Sequence, residues 1–72
     1  MSRRVIEIAD SGRYLSVYRG FLKVSADGEE LGRVPLDDID VLMLSGHGNA
    51  LSTNVINALL DRGAVIVVCG SN

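Results

Sequence analysis

Seventy-two residues carrying a formal net charge of −2 and a pI of about 5.1 make at most one small domain, and one without a general basic character. The apolar residues are 47% of the chain, and with the 8 glycines their share reaches about 58%, above the usual roughly 45–50%. That excludes a disordered chain and leaves more apolar surface than a domain of this size easily hides, which implies a partner.

The first half reads as strands and turns. Val5, Ile6, Ile8 and Ala9 around Glu7 suggest a strand, ended by Asp10-Ser11-Gly12 as a short hairpin loop. Tyr14-Leu15-Ser16-Val17-Tyr18 alternates, which puts Leu15 and Val17 on one face and both tyrosines on the other. Gly20 interrupts a run that resumes at Phe21-Leu22-Lys23-Val24, the position of a bulge or bend. Asp27-Gly28 is a two-residue hairpin signal that returns the chain through Leu31 and Val34 to Pro35, where the strand ends or lies on an edge.

The second half changes character. Val41-Leu42-Met43-Leu44 is a continuous apolar run and Ser45-Gly46-His47-Gly48-Asn49 is loop. Ser52 is placed to cap a helix, with Leu51 and Ile56 as a hydrophobic staple and Val55, Ile56, Leu59 and Leu60 as its apolar stripe. Arg62 suits the last turn and Gly63 the C′ position. Ala64 to Cys69 is apolar throughout, the pattern of a strand covered on both faces. These elements add up to an α+β fold in a single small β-rich domain, residues 1–72. Antiparallel β-hairpins occupy residues 1–36, and one right-handed βαβ unit, a strand-helix-strand, occupies residues 37–72.

The single cysteine, Cys69, fits a reducing, cytoplasmic setting. Glu7 and Asp10 break any secretory signal pattern. The uncharged stretch from Val41 to Leu60 holds too many polar residues and glycines for a membrane span, so no membrane partner is expected. The abrupt stop after Gly70-Ser71-Asn72 suggests a fragment.

No constellation carries catalytic chemistry. Gly46-x-Gly48 lacks the third glycine of a dinucleotide fingerprint, because Leu51 stands there; a turn feeding the helix is the better reading. His47 has no metal-ligating residue at ligand spacing and reads as a loop histidine of local structural use. Asp37, Asp38 and Asp40 form an acidic cluster after Pro35 that reads as turn and solvated surface rather than a cation site. Ser45, Ser52 and Ser71 have neither a base nor a nucleophile elbow. Catalytic and metal residues are therefore expected to be none. Arg13, Arg19, Lys23 and Arg33 lie in or near the hairpins and are the candidates for a basic stripe on DNA phosphates. Tyr14, Tyr18 and Phe21, aromatic residues of the kind enriched in interface cores, are the candidates for a homodimer contact.

The order of these segments is more informative than any one of them. Arg13-Tyr14-Leu15-Ser16, Arg19-Gly20-Phe21-Leu22, the Asp27-Gly28 turn and Val34-Pro35-Leu36-Asp37-Asp38-Ile39 are followed by His47-Gly48 and the Leu51-Ser52 helix start. Arg62-Gly63-Ala64-Val65 and Cys69-Gly70-Ser71-Asn72 close the series. Over residues 4 to 72 this resembles the N-terminal domain of the CRISPR-associated endonuclease-integrase, the core subunit of the CRISPR adaptation module, in the form that accompanies single-effector systems. The resemblance implies a homodimerising, DNA-supporting domain of an enzyme that inserts new spacers into the CRISPR array. It further implies that the metal-dependent chemistry, with Mg²⁺ or Mn²⁺, belongs to a helical C-terminal domain absent from this chain. Double-stranded DNA and a second CRISPR adaptation protein are the implied partners of the full-length enzyme. His47 belongs to the N-terminal pattern and is not the family's metal ligand, so this chain alone is expected to be inert. The alternative is a complete small dimeric scaffold or regulatory module without enzymatic activity.

Overall fold

A computed structural model describes residues 4–70; the sequence readings at Ser71 and Asn72 lie outside the described residues. The elements are β1 (Arg4–Ile8), β2 (Tyr14–Tyr18), β3 (Phe21–Ala26), β4 (Glu29–Pro35), a 3-10 turn (Leu36–Asp38), β5 (Ile39–Leu44), β6 (Ala50–Leu51), α1 (Thr53–Asp61) and β7 (Val65–Val68). They form two sheets, one in the order β1-β5-β7 and the other in the order β4-β3-β2-β6. The fold is α+β, mostly strands with one helix.

β2, β3 and β4 form an antiparallel meander through two tight turns. Tyr18 pairs with Phe21 and Ala26 with Glu29, so each loop has two residues. Arg19-Gly20 and Asp27-Gly28 all have positive φ, from 49° to 81°, as a type I′ hairpin requires. Gly20 is therefore a hairpin turn residue and not the bulge or bend expected of it. The bulge lies in β4: Val24 pairs with Gly32 but Ser25 with Glu30, which leaves Leu31 as the extra residue.

Asp10-Ser11-Gly12 is likewise not a hairpin loop. β1 pairs in parallel with β5, not with β2, so the chain changes sheets between residues 8 and 14. β1 thereby joins the sheet built by the second half, and the sheets do not divide at residue 36. β5 and β7 are parallel neighbours connected through α1, the expected strand-helix-strand. The short β6 within that connection pairs with β2 instead.

The core lies between the two sheets and α1. Leu15, Leu22, Leu36, Ile39, Leu42, Val55 and Leu59 are at most 1% exposed, each contributing on the order of 1.5–3 kcal/mol on burial. The stripe of α1 is narrower than expected: Val55 and Leu59, four residues apart, are buried, whereas Leu60 is exposed. Ser52 holds the extended N-cap conformation, yet its side chain makes no cap hydrogen bond and its Oγ is buried without a partner. The C-terminus of α1 closes as a Schellman motif. Ala64 N–H donates to Leu59 C=O at 2.9 Å and Gly63 N–H to Leu60 C=O at 3.0 Å, with Gly63 at φ 77°. Among the described residues β7 is an edge strand of its sheet, and it is not covered on both faces as expected: Val65 and Val68, three apart and so on opposite faces, are exposed, as is Cys69.

Two loops hold the sheets together. Ser45 and Gly46 N–H groups both donate to Ile8 C=O, and Gly12 N–H donates to His47 C=O at 3.1 Å. Gly46 presses so closely on the Asp10 backbone that a Cβ there would overlap the Asp10 carbonyl. Gly46→Ala is therefore expected to destabilise the protein by about 1–3 kcal/mol, read as a lower urea midpoint with an unchanged m-value.

Candidate nucleic-acid interface

The inner faces of β2, β3 and β4 carry Leu15, Val17, Leu22, Val24 and Val34 into the core, so the pleat sends their neighbours outward. Cross-strand pairs fix the outer face: Tyr14 opposite Ser25, Ser16 opposite Lys23, Tyr18 opposite Phe21, Lys23 opposite Arg33 and Phe21 opposite Pro35. Tyr14 and Tyr18 are 48% and 43% exposed.

Three of the four expected basic residues meet at one aromatic ring. Arg19, Lys23 and Arg33 lie 5.4, 5.6 and 5.4 Å from the Tyr18 ring centre, and Arg33 is also 5.6 Å from that of Phe21. These are cation–π distances. The expected dimer residues Tyr18 and Phe21 are thus part of the same cluster as the expected DNA residues. Tyr14 shares the face at the opposite end of β2, on a shallow groove with Ser16, Lys23, Ser25 and Asp27.

Arg13 stands apart. Its Nη1 donates to Ser11 C=O at 3.0 Å, its Nη2 is 3.5 Å from Asp10 Oδ2, and its N–H donates to Asn49 Oδ1 at 2.7 Å. Asn49 Nδ2 in turn donates to Asp10 C=O at 3.0 Å. Asn49 thus clamps the two sheet-joining loops, a role that no local sequence signal reveals. His47 lies in the same crossing, its backbone N–H 3.3 Å from Ser11 Oγ.

Glu30 is the other residue that sequence reasoning missed. Arg33 Nε and Nη2 donate to Glu30 Oε2 and Oε1 at 2.7 and 2.8 Å, a two-point contact. Residues three apart on a regular strand point to opposite faces; the extra residue at Leu31 returns Glu30 to the face of Arg33. The Arg33 hydrogen bond holds the Glu30 carboxyl below its ordinary range, and the same bond raises Arg33. Among the described residues neither Arg19 nor Lys23 makes an ion pair.

The described residues hold no group of three His, Cys, Asp or Glu side chains able to bind a metal ion. Asp37 accepts from Arg62 Nε at 2.8 Å and Asp38 lies 3.8 Å from Arg4, which ties that acidic cluster to the helix end and to β1. No described helix is long and apolar enough to cross a membrane.

The Glu30–Arg33 contact has a testable pH sign. A carboxyl lowered by folding stabilises the folded state above its unfolded pKa, and that contribution disappears as pH falls through the folded value. A Glu30 Cδ NMR titration is expected to show its midpoint below the ordinary carboxyl range, moving up in Arg33→Ala.

A sequence model of the family described as CRISPR associated protein Cas1 matches residues 6–72. No curated protein sequence matches the chain. Among solved structures, the fold is similar to that of TtCas1 in a TtCas1–DNA complex, with a TM-score of 0.72 at 15% identity over 89% of this chain. It is also similar to a casposase bound to its integration product, with a TM-score of 0.69 at 17% identity over 93% of this chain. The chain spans 23% and 21% of the length of those two proteins, and at such identities the likeness is one of fold. The family match extends over nearly the whole chain and the fold agrees with it: this chain belongs to the Cas1 family of CRISPR-associated proteins.

Proposed function

We propose that this chain is the DNA-supporting, non-catalytic N-terminal domain of a CRISPR integrase that inserts spacers into the CRISPR array. The observation that carries this reading is the outer face of β2-β3-β4, where Arg19, Lys23 and Arg33 surround Tyr18. The fold adds support, since the two similar structures are a Cas1–DNA complex and a casposase on its integration product. In this reading the metal-dependent strand transfer, with Mg²⁺ or Mn²⁺, belongs to a helical domain of the full-length protein. A second adaptation protein and duplex DNA are partners of that whole assembly, in the cytoplasm.

Homodimerisation through Tyr14, Tyr18 and Phe21 uses the same face, and the cations there give it a distinctive signature. A two-fold contact places Arg19, Lys23 and Arg33 near their own copies, and added salt screens that repulsion. DNA binding carries the opposite sign, because counterion release weakens it as salt rises.

Three experiments test this reading. Fluorescence anisotropy of a labelled duplex is expected to show weak binding that is lost at several hundred millimolar salt; binding that stays tight there contradicts the reading. Sedimentation equilibrium over the same salt series, with a charge placed at Tyr18 or Phe21, tests the dimer. A dimer insensitive to both substitutions places the interface elsewhere. Incubated with branched or duplex DNA in Mn²⁺, the chain is expected to neither cleave nor join it; turnover that co-purifies with the chain sinks that expectation.

A further inference from the structure

The geometry points to Tyr18 as a positioning residue that gathers Arg19, Lys23 and Arg33 into one cluster for the phosphodiester backbone of duplex DNA, not for its bases. This rests on the DNA-supporting role proposed above and goes further in naming the atoms recognised and the residues that organise them.

The first argument is the occupancy of the ring. Aromatic side chains that bind single strands offer a free face on which bases stack. Three cationic groups lie within 5.4–5.6 Å of the Tyr18 centre, so a stacking base has to displace charges that the ring attracts. What the cluster presents outward is guanidinium and ammonium, the partners of phosphate oxygens.

The second argument is the backbone at Arg19. A two-residue hairpin turn with positive φ at both positions favours Asn, Asp or Gly at the first. The β3–β4 turn obeys, with Asp27-Gly28, whereas the β2–β3 turn holds Arg19 at φ 49°. A long cationic side chain stands where a smaller residue is conformationally cheaper, and strain of this kind is associated with function. The turn also sets that side chain against Tyr18.

The third argument is the difference among the cations. Arg33 is held at two points by Glu30; the Lys23 charge also acts on Glu30, but among the described residues neither Lys23 nor Arg19 makes a direct ion pair. Arg19 and Lys23, not held in this way, bear the phosphate contacts, and Glu30 restrains Arg33.

The test is anisotropy titration of the chain against a mixed-sequence duplex of about 20 base pairs and against oligo-dT of the same length, across a salt series. The combined Arg19→Ala, Lys23→Ala variant is expected to flatten the slope of log K against log salt by about 1.8, close to 0.9 per lost contact. Tyr18→Leu is expected to weaken duplex binding about two- to five-fold, and Tyr18→Phe, which keeps the ring, to restore it. Glu30→Gln is expected to strengthen binding and steepen the slope. Arg19→Asn is expected to raise Tm by roughly 2–8 °C while duplex binding falls, separating fold from function. An unchanged slope in the double variant overturns the inference and leaves the DNA-supporting role standing. So does a preference for oligo-dT that disappears in Tyr18→Leu, since that signals base stacking. Failure of the unmodified chain to bind any duplex overturns both.

Discussion

The structure depends on the chain leaving one sheet after β1 and starting another at β2. Backbone leaving a sheet edge has polar groups to satisfy, and here they are met across the crossing rather than by water alone. Ile8 C=O accepts from Ser45 and Gly46, Gly12 donates to His47, and Asn49 bonds both Asp10 and Arg13. Gly46 makes this possible, since any side chain there meets the Asp10 carbonyl. Of the two glycines in the loop compared with a nucleotide-binding fingerprint, Gly46 therefore serves a close approach of two backbones and Gly48 a positive φ of 67°.

That crossing leaves β2 free to pair with β3 on one side and β6 on the other, which puts the inner face of the meander on the core. Once Leu15 and Leu22 are buried, the outer face is determined residue by residue through the pleat. Two departures from regular strand geometry then compose the cationic cluster. The tight β2–β3 turn brings Arg19 against Tyr18, and the bulge at Leu31 aligns Glu30 with Arg33. The bulge also blunts β4 as an edge, along with Glu29, Glu30, Arg33 and Pro35. Among the described residues β7 has no such protection, being four apolar residues at the edge of its sheet.

What the sequence made legible was local. Alternation in Tyr14–Tyr18 separated core from surface, Asp27-Gly28 marked a turn, and Arg62-Gly63 marked the helix end. Each depends on residues within one turn or pleat. The parallel pairing of β1 with β5 joins residues some 35 positions apart, and nothing at Asp10-Ser11-Gly12 distinguishes a hairpin from a change of sheet. The apolar run at Val65–Val68 was misleading for a related reason: composition reports hydrophobicity, not which strands lie beside it. At the candidate site, Arg19, Lys23 and Arg33 could be nominated from sequence, and so could Tyr18. Arg13 could not be separated from them by residue type: its guanidinium turns to Asp10 and Ser11 along a loop path that Asn49, 36 positions away, fixes through the Arg13 backbone N–H.

The acidic net charge and a DNA-facing role are compatible because the charges are segregated. Arg4, Arg13 and Arg62 are each tied to an aspartate away from the Tyr18 cluster, so their charge is largely cancelled where they stand. Among the described residues Arg19 and Lys23 make no direct ion pair of this kind, and both lie toward the β2–β3 turn. The far end of the meander carries Asp27 and Glu29 at the β3–β4 turn. Screening confines each of these charges to roughly 8 Å at physiological salt, so a polyanion responds to the local patch more than to the total of −2. The same acidity then works as a directional constraint. In the DNA-supporting role proposed above, this charge order favours a duplex over the Tyr18 end of the face and disfavours it at the Asp27 end, which gives the proposed contact an orientation.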